Sequence, residues 1–433
     1  MYALCDVNSM YASCEKVFDP SIRNKPVIVL TNNDGCICAA CGIAKRMGIG
    51  KKFVPYFQVK DELAAAGAII RSSNYELYAD LSQRMMDTCA RFAPHFHIYS
   101  IDECFLYYGA NYVPPEGWNA HAALIRRTVW KEVRLPIGVG VGSTPTLAKA
   151  ANHASKRIDG YRGVAVIDNE QIRQHILKHM DVTDVWGIGR RLGKRLNDVG
   201  INTAWQLSKA KPGFIRKEFS ILVENTVHEL NGIPKLNWDE VRSPKQQIFS
   251  TRSFGQRVTD KTELRHALIS HVTIAASKLR RQNSLLKTLQ VFACSSPHDN
   301  DSYYRQSILH TFPAPTSDTS IIAHAVSTLV DSVYRKGVKF YKCGVGLIEL
   351  VDAAHYQQDL FNVLHDKTDL MHCIDRINSR YGRNTVHVAA QGTIQSTTQS
   401  TTQGATQKFA MRREFLSPQY TTRLADIPKI FCD

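Results

Sequence analysis

The chain has 433 residues, 44% of them hydrophobic. That is too long for one ordinary domain and apolar enough for about three with sizeable cores. Lysine and arginine (54) exceed aspartate and glutamate (39), giving +15 and a pI near 9.3. Such a balance attracts polyanions, nucleic acid above all, and the alternative is a basic protein with no such partner. No apolar run approaches the roughly 20 residues of a membrane span, so no membrane association is expected. The opening MYALCDVNSMYASCEK lacks the basic region of a secretory leader. The 11 cysteines, scattered and odd in number, point to reduced thiols in a cytoplasm.

Tyr2–Val7 reads as a short strand carrying Asp6, followed by a helix that Ser9 can cap. Pro26–Leu30 reads as a buried strand, residues 32–35 (Asn-Asn-Asp-Gly) as a turn and residues 41–48 as a short helix. Cys36, Cys38 and Cys41 supply three soft ligands but no fourth at zinc spacing, so packing is the preferred reading. Leu81–Phe92 has helical periodicity. Phe96–Tyr108 has two β-rich arms around Asp102 and Glu103, a hairpin with the acidic pair at its bend. A helix over 118–133 leads into the strand 137–142 (Ile-Gly-Val-Gly-Val-Gly), whose glycines suit close backbone packing. A helix over Thr146–Lys156 and a strand over Val164–Ile167 complete an α+β core.

Residues 169–240 are mostly helical in pattern. The block from 245 to 350 mixes β-rich pieces (Leu289–Ala293, Tyr341–Leu350) with the amphipathic stretch Thr262–Arg281. It holds 14 basic and 7 acidic residues, nearly half the net charge, as a separate nucleic-acid-gripping module would. The tract QGTIQSTTQSTTQGATQ is a flexible linker by composition, and Met411–Asp433 forms a short mixed tail.

Nucleotidyl transfer uses two hard cations about 3.5–4 Å apart, held by carboxylates from different elements. Asp6 on the first strand and Asp102-Glu103 on the hairpin could converge if those strands pair. An acidic pair at a bend is by itself more often a solvated turn, so the combination must decide. Asp6 opens the run Asp6–Glu15 with Tyr11-Ala12-Ser13 inside it. Tyr99–Glu103 has the form S-x-D-E, and Gly140–Lys149 continues to Ala154-Ser155-Lys156. In this order and spacing the three runs resemble the motifs of the Y-family translesion DNA polymerases.

The resemblance implies an α+β right-hand polymerase. Its ferredoxin-like palm would be residues 1–10 and 75–168, its small fingers 11–74, and its helical thumb 169–242. An α/β little finger would follow at 245–351, then a clamp-binding peptide, linker and tail over 352–433. It implies two Mg2+ ions held by Asp6, Asp102, Glu103 and the Val7 carbonyl, with the three carboxylates catalytic. Tyr11 would be the steric gate against a ribose 2′-hydroxyl, and Lys156 would reach the incoming deoxynucleoside triphosphate. Where many members carry Tyr-x-x-Arg in the fingers, this chain has Gly42–Arg46. Lys45 takes the arginine's place, with Arg46 beside it as a second triphosphate contact.

Residues 185–193 resemble a helix-hairpin-helix, in which Gly187, Gly189, Arg190 and Arg191 would meet the phosphates of primer-template DNA. Gln357, Leu360 and Phe361 match the Q-x-x-L-F peptide that docks on the sliding clamp. Thr31–Cys36 and the tail Met411–Arg423 look like one bacterial subgroup of the family. That subgroup implies an error-prone, damage-inducible (SOS) enzyme, cytoplasmic and nucleoid-associated, working with a UmuD′-like dimer and a RecA filament. The rival readings are a non-catalytic DNA- and clamp-binding regulator of the replication fork and a nucleotide cyclase.

Overall fold

The computed structural model describes residues 1–109, 112–236, 244–357, 366–382, 384–392 and 411–429. The chain forms two compact units, Met1–Glu240 together with Arg413–Asp433, and Val241–Arg412. No described helix is long and apolar enough to cross a membrane.

The first unit begins β1 (Tyr2–Val7), α1 (Met10–Glu15), β2 (Val27–Leu30), β3 (Ile37–Ala40), α2 (Gly42–Arg46), α3 (Tyr56–Ala65) and β4 (Ile69–Ser72). It continues α4 (Tyr75–Ala90), β5 (His95–Ile98), β6 (Glu103–Tyr107), α5 (Trp118–Val133), β7 (Ile137–Gly142), α6 (Pro145–Arg157) and β8 (Val164–Val166). Five helices follow: α7 (Glu170–Lys178), α8 (Arg190–Asp198), α9 (Ala204–Lys209), α10 (Pro212–Glu218) and α11 (Ile221–Leu230).

Five strands make one sheet in the order β5-β6-β1-β7-β8. Strand β1 is central because Ala3, Leu4, Cys5 and Val7 are all buried, the pattern of a strand covered on both faces. Its register sets Asp6 opposite Glu103 on β6 and opposite Gly138 on β7. Strand β7 meets α6 at backbone contact: a Cβ on Gly140 would lie 2.1 Å from the Asn152 nitrogen, so only glycine permits this approach. The Thr144 hydroxyl caps α6 by accepting from the Leu147 N–H, and Pro145 occupies the first turn. A second, three-stranded sheet (β3-β2-β4) is built on the wholly buried Val27–Leu30.

Two local expectations change. Ser9 adopts a left-handed conformation (φ 52°, ψ 50°) and does not cap α1 with its side chain; its hydroxyl instead accepts from Lys45 Nζ at 2.8 Å. Helix α4 starts at Tyr75, earlier than its periodicity indicates, because the Asn74 side chain accepts the Leu77 N–H.

The second unit runs β9 (Ile248–Val258), α12 (Lys261–Arg281), β10 (Ser284–Ser295), β11 (Arg305–Thr316), α13 (Thr319–Val333), β12 (Phe340–Asp352) and α14 (Thr368–Tyr381). Its four antiparallel strands take the order β11-β10-β12-β9. Apolar side chains of α12 and α13 share one core with those of the sheet. Arg280 joins α14 to this body by a forked pair to Asp375, at 2.7 and 2.9 Å.

Candidate active site

Asp6, Asp102 and Glu103 gather where β1 meets β6. The Val7 N–H donates to the Asp102 carbonyl at 2.9 Å, extending the Asp6–Glu103 pairing by one step to bring the bend residue alongside. Burial pushes the Glu103 carboxyl up; Lys149 opposes that shift, and the negative charges of Asp6 and Asp102 add to it. Three hard oxygen donors whose charges act on one another form the donor set a magnesium-type ion takes.

Each carboxylate is also held by its own neighbour. Lys156 Nζ lies 2.7 Å from Asp6, Lys149 Nζ lies 3.1 and 3.2 Å from the two Glu103 oxygens, and the Ser100 hydroxyl donates to Asp102 at 2.6 Å. The carboxylate oxygens accordingly do not close to a common ligand distance. Among the described residues the thiols of Cys5, Cys89 and Cys104 alone lie mutually within 4.8 Å. These three are buried without a fourth ligand and fill core space behind β1 and β6.

Both lysines project from α6 towards the carboxylates. Gly138 makes room for one of them, since a Cβ there would fall 2.8 Å from Lys156 Cε. Lys149 is boxed by aromatic rings, with the Tyr99 centroid at 4.5 Å and the Trp186 centroid at 5.1 Å. Trp186 Nε1 in turn donates to the Tyr99 hydroxyl at 3.1 Å. Lys149, Tyr99 and Trp186 were not singled out from sequence, although Lys149 stands inside the Gly140–Lys149 run.

Lys45 lies on α2, and its pKa is lowered by burial and by the neighbouring charges of Lys52, Lys156 and Arg157. Four cations crowded this closely suit a polyanionic triphosphate. Lys52 and Arg157 are additions to the sequence reading. Arg46 is exposed in the last turn of the same helix. Tyr11 stacks on Tyr78 (centroids 4.6 Å apart, planes at 13°) and meets Tyr75 edge-on at 5.9 Å. Burial raises its phenol pKa, and Tyr75, Cys38 and Asp102 add to the shift. The ring therefore lies electrically close to Asp102 and to Cys38 of β3.

In residues 185–193, Gly187 takes φ +87° and Gly189 is the N-cap of α8. Gly187, Gly189, Arg190 and Arg191 are all exposed, as are Lys194 and Arg195 on the same helix. A single 3-10 turn, Val182–Asp184, precedes the hairpin in place of a longer helix. Of the Q-x-x-L-F run, Gln357 is exposed, while Leu360 and Phe361 lie outside the described residues.

Residues 5–153 match the impB/mucB/samB family, residues 245–360 its C-terminal domain and residues 172–201 its helix-hairpin-helix motif. Protein UmuC of Salmonella typhimurium is 40% identical over 436 residues, covering 99% of this chain and all of that one. The chain belongs to the impB/mucB/samB family. It is a UmuC-like Y-family polymerase: a DNA-directed DNA polymerase that carries out error-prone translesion synthesis in the SOS response. It binds DNA and deoxynucleoside triphosphates and depends on a divalent cation.

Other members of the impB/mucB/samB family are similar over the same span, SamB of Salmonella typhimurium at 38% identity over 99% of both chains. A DNA polymerase IV of Moorella thermoacetica is 26% identical over 90% of this chain and 96% of its own. The fold agrees with that of a Y-family DNA polymerase chimera, Dbh-Dpo4(243-245)-Dbh. Its TM-score is 0.59 at 18% identity, over 81% of this chain and 99% of that one. Residues 368–430 match a domain of unknown function.

Proposed function

We propose that the family reaction is carried out here by Asp6, Asp102 and Glu103, with the Val7 carbonyl, as the ligands of two magnesium ions. The observation that carries this reading is the Asp6–Glu103 register pair, with Asp102 hydrogen-bonded beside it. When bound, the ions supply activation of the primer 3′-hydroxyl and neutralisation of the departing pyrophosphate. Asp6 and Asp102 would hold the ions from β1 and the bend before β6, and Glu103 would complete the set from the start of β6. Lys156 leaves Asp6 for the triphosphate, where Lys45, Arg46, Lys52 and Arg157 add positive charge. Tyr11 excludes the ribose 2′-hydroxyl by its bulk.

The first unit then supplies palm (1–10 and 75–168), fingers (11–74) and thumb (169–242). Gly187, Gly189, Arg190 and Arg191 grip backbone phosphates, which position DNA without reading its sequence. The second unit supplies the little finger (245–351). Gln357, Leu360 and Phe361 form a sliding-clamp peptide, and a UmuD′-like dimer and a RecA filament are the partners of a cytoplasmic, nucleoid-associated enzyme. The test is primer extension across an abasic template with magnesium, comparing the full chain with Asp102→Ala. Extension falls by about a thousandfold on loss of so central a charge, while DNA binding persists; undiminished extension would overturn the assignment.

A further inference from the structure

The segment beyond the Gln/Ser/Thr/Gly tract falls within the match to a domain of unknown function, and in the structure it is part of the first unit, which carries Asp6, Asp102 and Glu103. The Ser72 N–H at the end of β4 donates to the Phe415 carbonyl at 3.0 Å, and the Phe415 N–H donates to the Ser72 hydroxyl at 3.0 Å. Asp34, buried at 9% exposure, accepts from the Ser72 hydroxyl at 2.6 Å and from the Glu414 N–H at 2.8 Å. Two ring contacts flank these bonds: Phe415 edge-on to Tyr56 at 5.7 Å, and Tyr420 stacked on Phe18 at 5.0 Å. Buried polar groups are costly when unpaired, so Asp34 and Ser72 need this segment in place.

The contacts lead to Tyr11. Asn74 uses its oxygen to cap α4 and its amide nitrogen to donate to the Ser417 hydroxyl at 3.0 Å. The first turn of that helix carries Tyr75 and Tyr78, the two rings that hold Tyr11. Tyr78 also donates to Glu15 at 2.6 Å. Glu15 is only 1% exposed. Burial pushes its carboxyl up, and the hydrogen bonds of Tyr78 and Ser417 and the charge of Arg71, whose Nε is 3.7 Å from Glu15 Oε2, oppose that shift only in part.

We propose that residues 413–420 are a brace, acting within the chain, that fixes the N-terminus of α4 and so sets Tyr75, Tyr78 and the sugar gate Tyr11. This rests on Tyr11 being the gate. Ser417 and Phe415 are positioning residues, remote from the reacting atoms, and their effect is on the choice of sugar more than on the rate with the correct nucleotide.

The experiment compares full-length Ser417→Ala, Ser417→Thr, Phe415→Ala and Tyr11→Ala. It reads kcat/KM for a ribonucleotide against the matching deoxynucleotide, and amide hydrogen exchange across residues 72–86. Ser417→Ala, which removes one buried hydrogen bond, raises relative ribonucleotide use roughly five- to tenfold, and Phe415→Ala, which keeps its main-chain bonds but removes the ring packed on Tyr56, shifts sugar choice in the same direction by a similar factor. They also speed exchange at the start of α4, and Ser417→Thr restores both readings. If Tyr11→Ala relaxes sugar choice while Ser417→Ala and Phe415→Ala change neither reading, the brace is overturned. If Tyr11→Ala leaves sugar choice unchanged, the gate assignment fails. Exchange at residues 75–78 then decides the brace: unchanged protection in both tail variants overturns it.

Discussion

Replacing Lys149 by methionine removes the cation shared between Glu103 and the aromatic box, and its effect can be worked from the geometry. The ammonium lies 3.1 and 3.2 Å from the two Glu103 oxygens, with both side chains less than one-fifth exposed. At an effective dielectric of about 20, unit charges at this separation attract by about 5 kcal/mol before desolvation is subtracted. Desolvation takes back most of it, and a net loss of about 1–2 kcal/mol of stability is expected without divalent metal. Metal affinity moves the other way. A dication on Glu103 about 5 Å from the ammonium is repelled by about 2 kcal/mol even at the dielectric of water. The lysine can turn further towards Tyr99 and Trp186, which trims that figure to about 1–2 kcal/mol. Mn2+ affinity of Lys149→Met therefore rises about five- to thirtyfold, read from the free-ion electron paramagnetic resonance signal during titration. Added Mn2+ also recovers the lost melting temperature, since a ligand of the folded state stabilises it. Lys149→Arg stays near the parent in both. Mn2+ affinity unchanged within twofold in Lys149→Met would refute the idea that Lys149 and metal share Glu103.

Three further outcomes can be measured. Burial, with Arg252 nearby, lowers the His271 pKa to about 4. The neutral ring paired with Ser250 at 2.9 Å therefore supports the fold fully above pH 6.5, and that support is lost as pH falls towards about 4, by about 3 kcal/mol. His271→Gln should flatten this part of the melting-temperature profile, and an equal slope in the variant would remove His271 as its cause. Gly140→Ala drives a Cβ into the backbone of α6 and should cost about 3 kcal/mol or more in urea unfolding. Gly138→Ala meets only the movable Lys156 and Ser155 side chains and the Asn152 amide, so it should be milder in stability and act on nucleotide KM; equal unfolding midpoints for the two variants would contradict this. Leu360→Ala with Phe361→Ala should abolish stimulation by the sliding clamp and spare unassisted extension, whereas intact stimulation would exclude these residues as the docking peptide.

What the sequence reveals here divides along a physical line. Asp6, the Asp102-Glu103 bend and the glycines of β7 are legible because each depends on a short local pattern: a strand of period two, a hairpin, and residues without a Cβ where a helix must come close. Lys149 and Trp186 escape that reading because their roles arise from a meeting across 37 residues, and neither side chain is unusual in its own segment. The starting point of α4 is hidden from the sequence for a related reason. Leu81 onward carries the apolar stripe, but the helix begins where Asn74 can cap it, and Asn74 is itself held by Ser417 from the far end of the chain. The tail reads from sequence only as a short mixed segment, because a stretch that takes its hydrogen-bond and ring partners from elsewhere in the chain has no periodicity of its own. Yet it ends under the same helix that carries Tyr75 and Tyr78. The three carboxylates can thus be read from the chain locally, whereas the groups that hold them and Tyr11 in position are fixed by contacts distant in sequence, and the substitutions at Lys149 and Ser417 address those contacts directly.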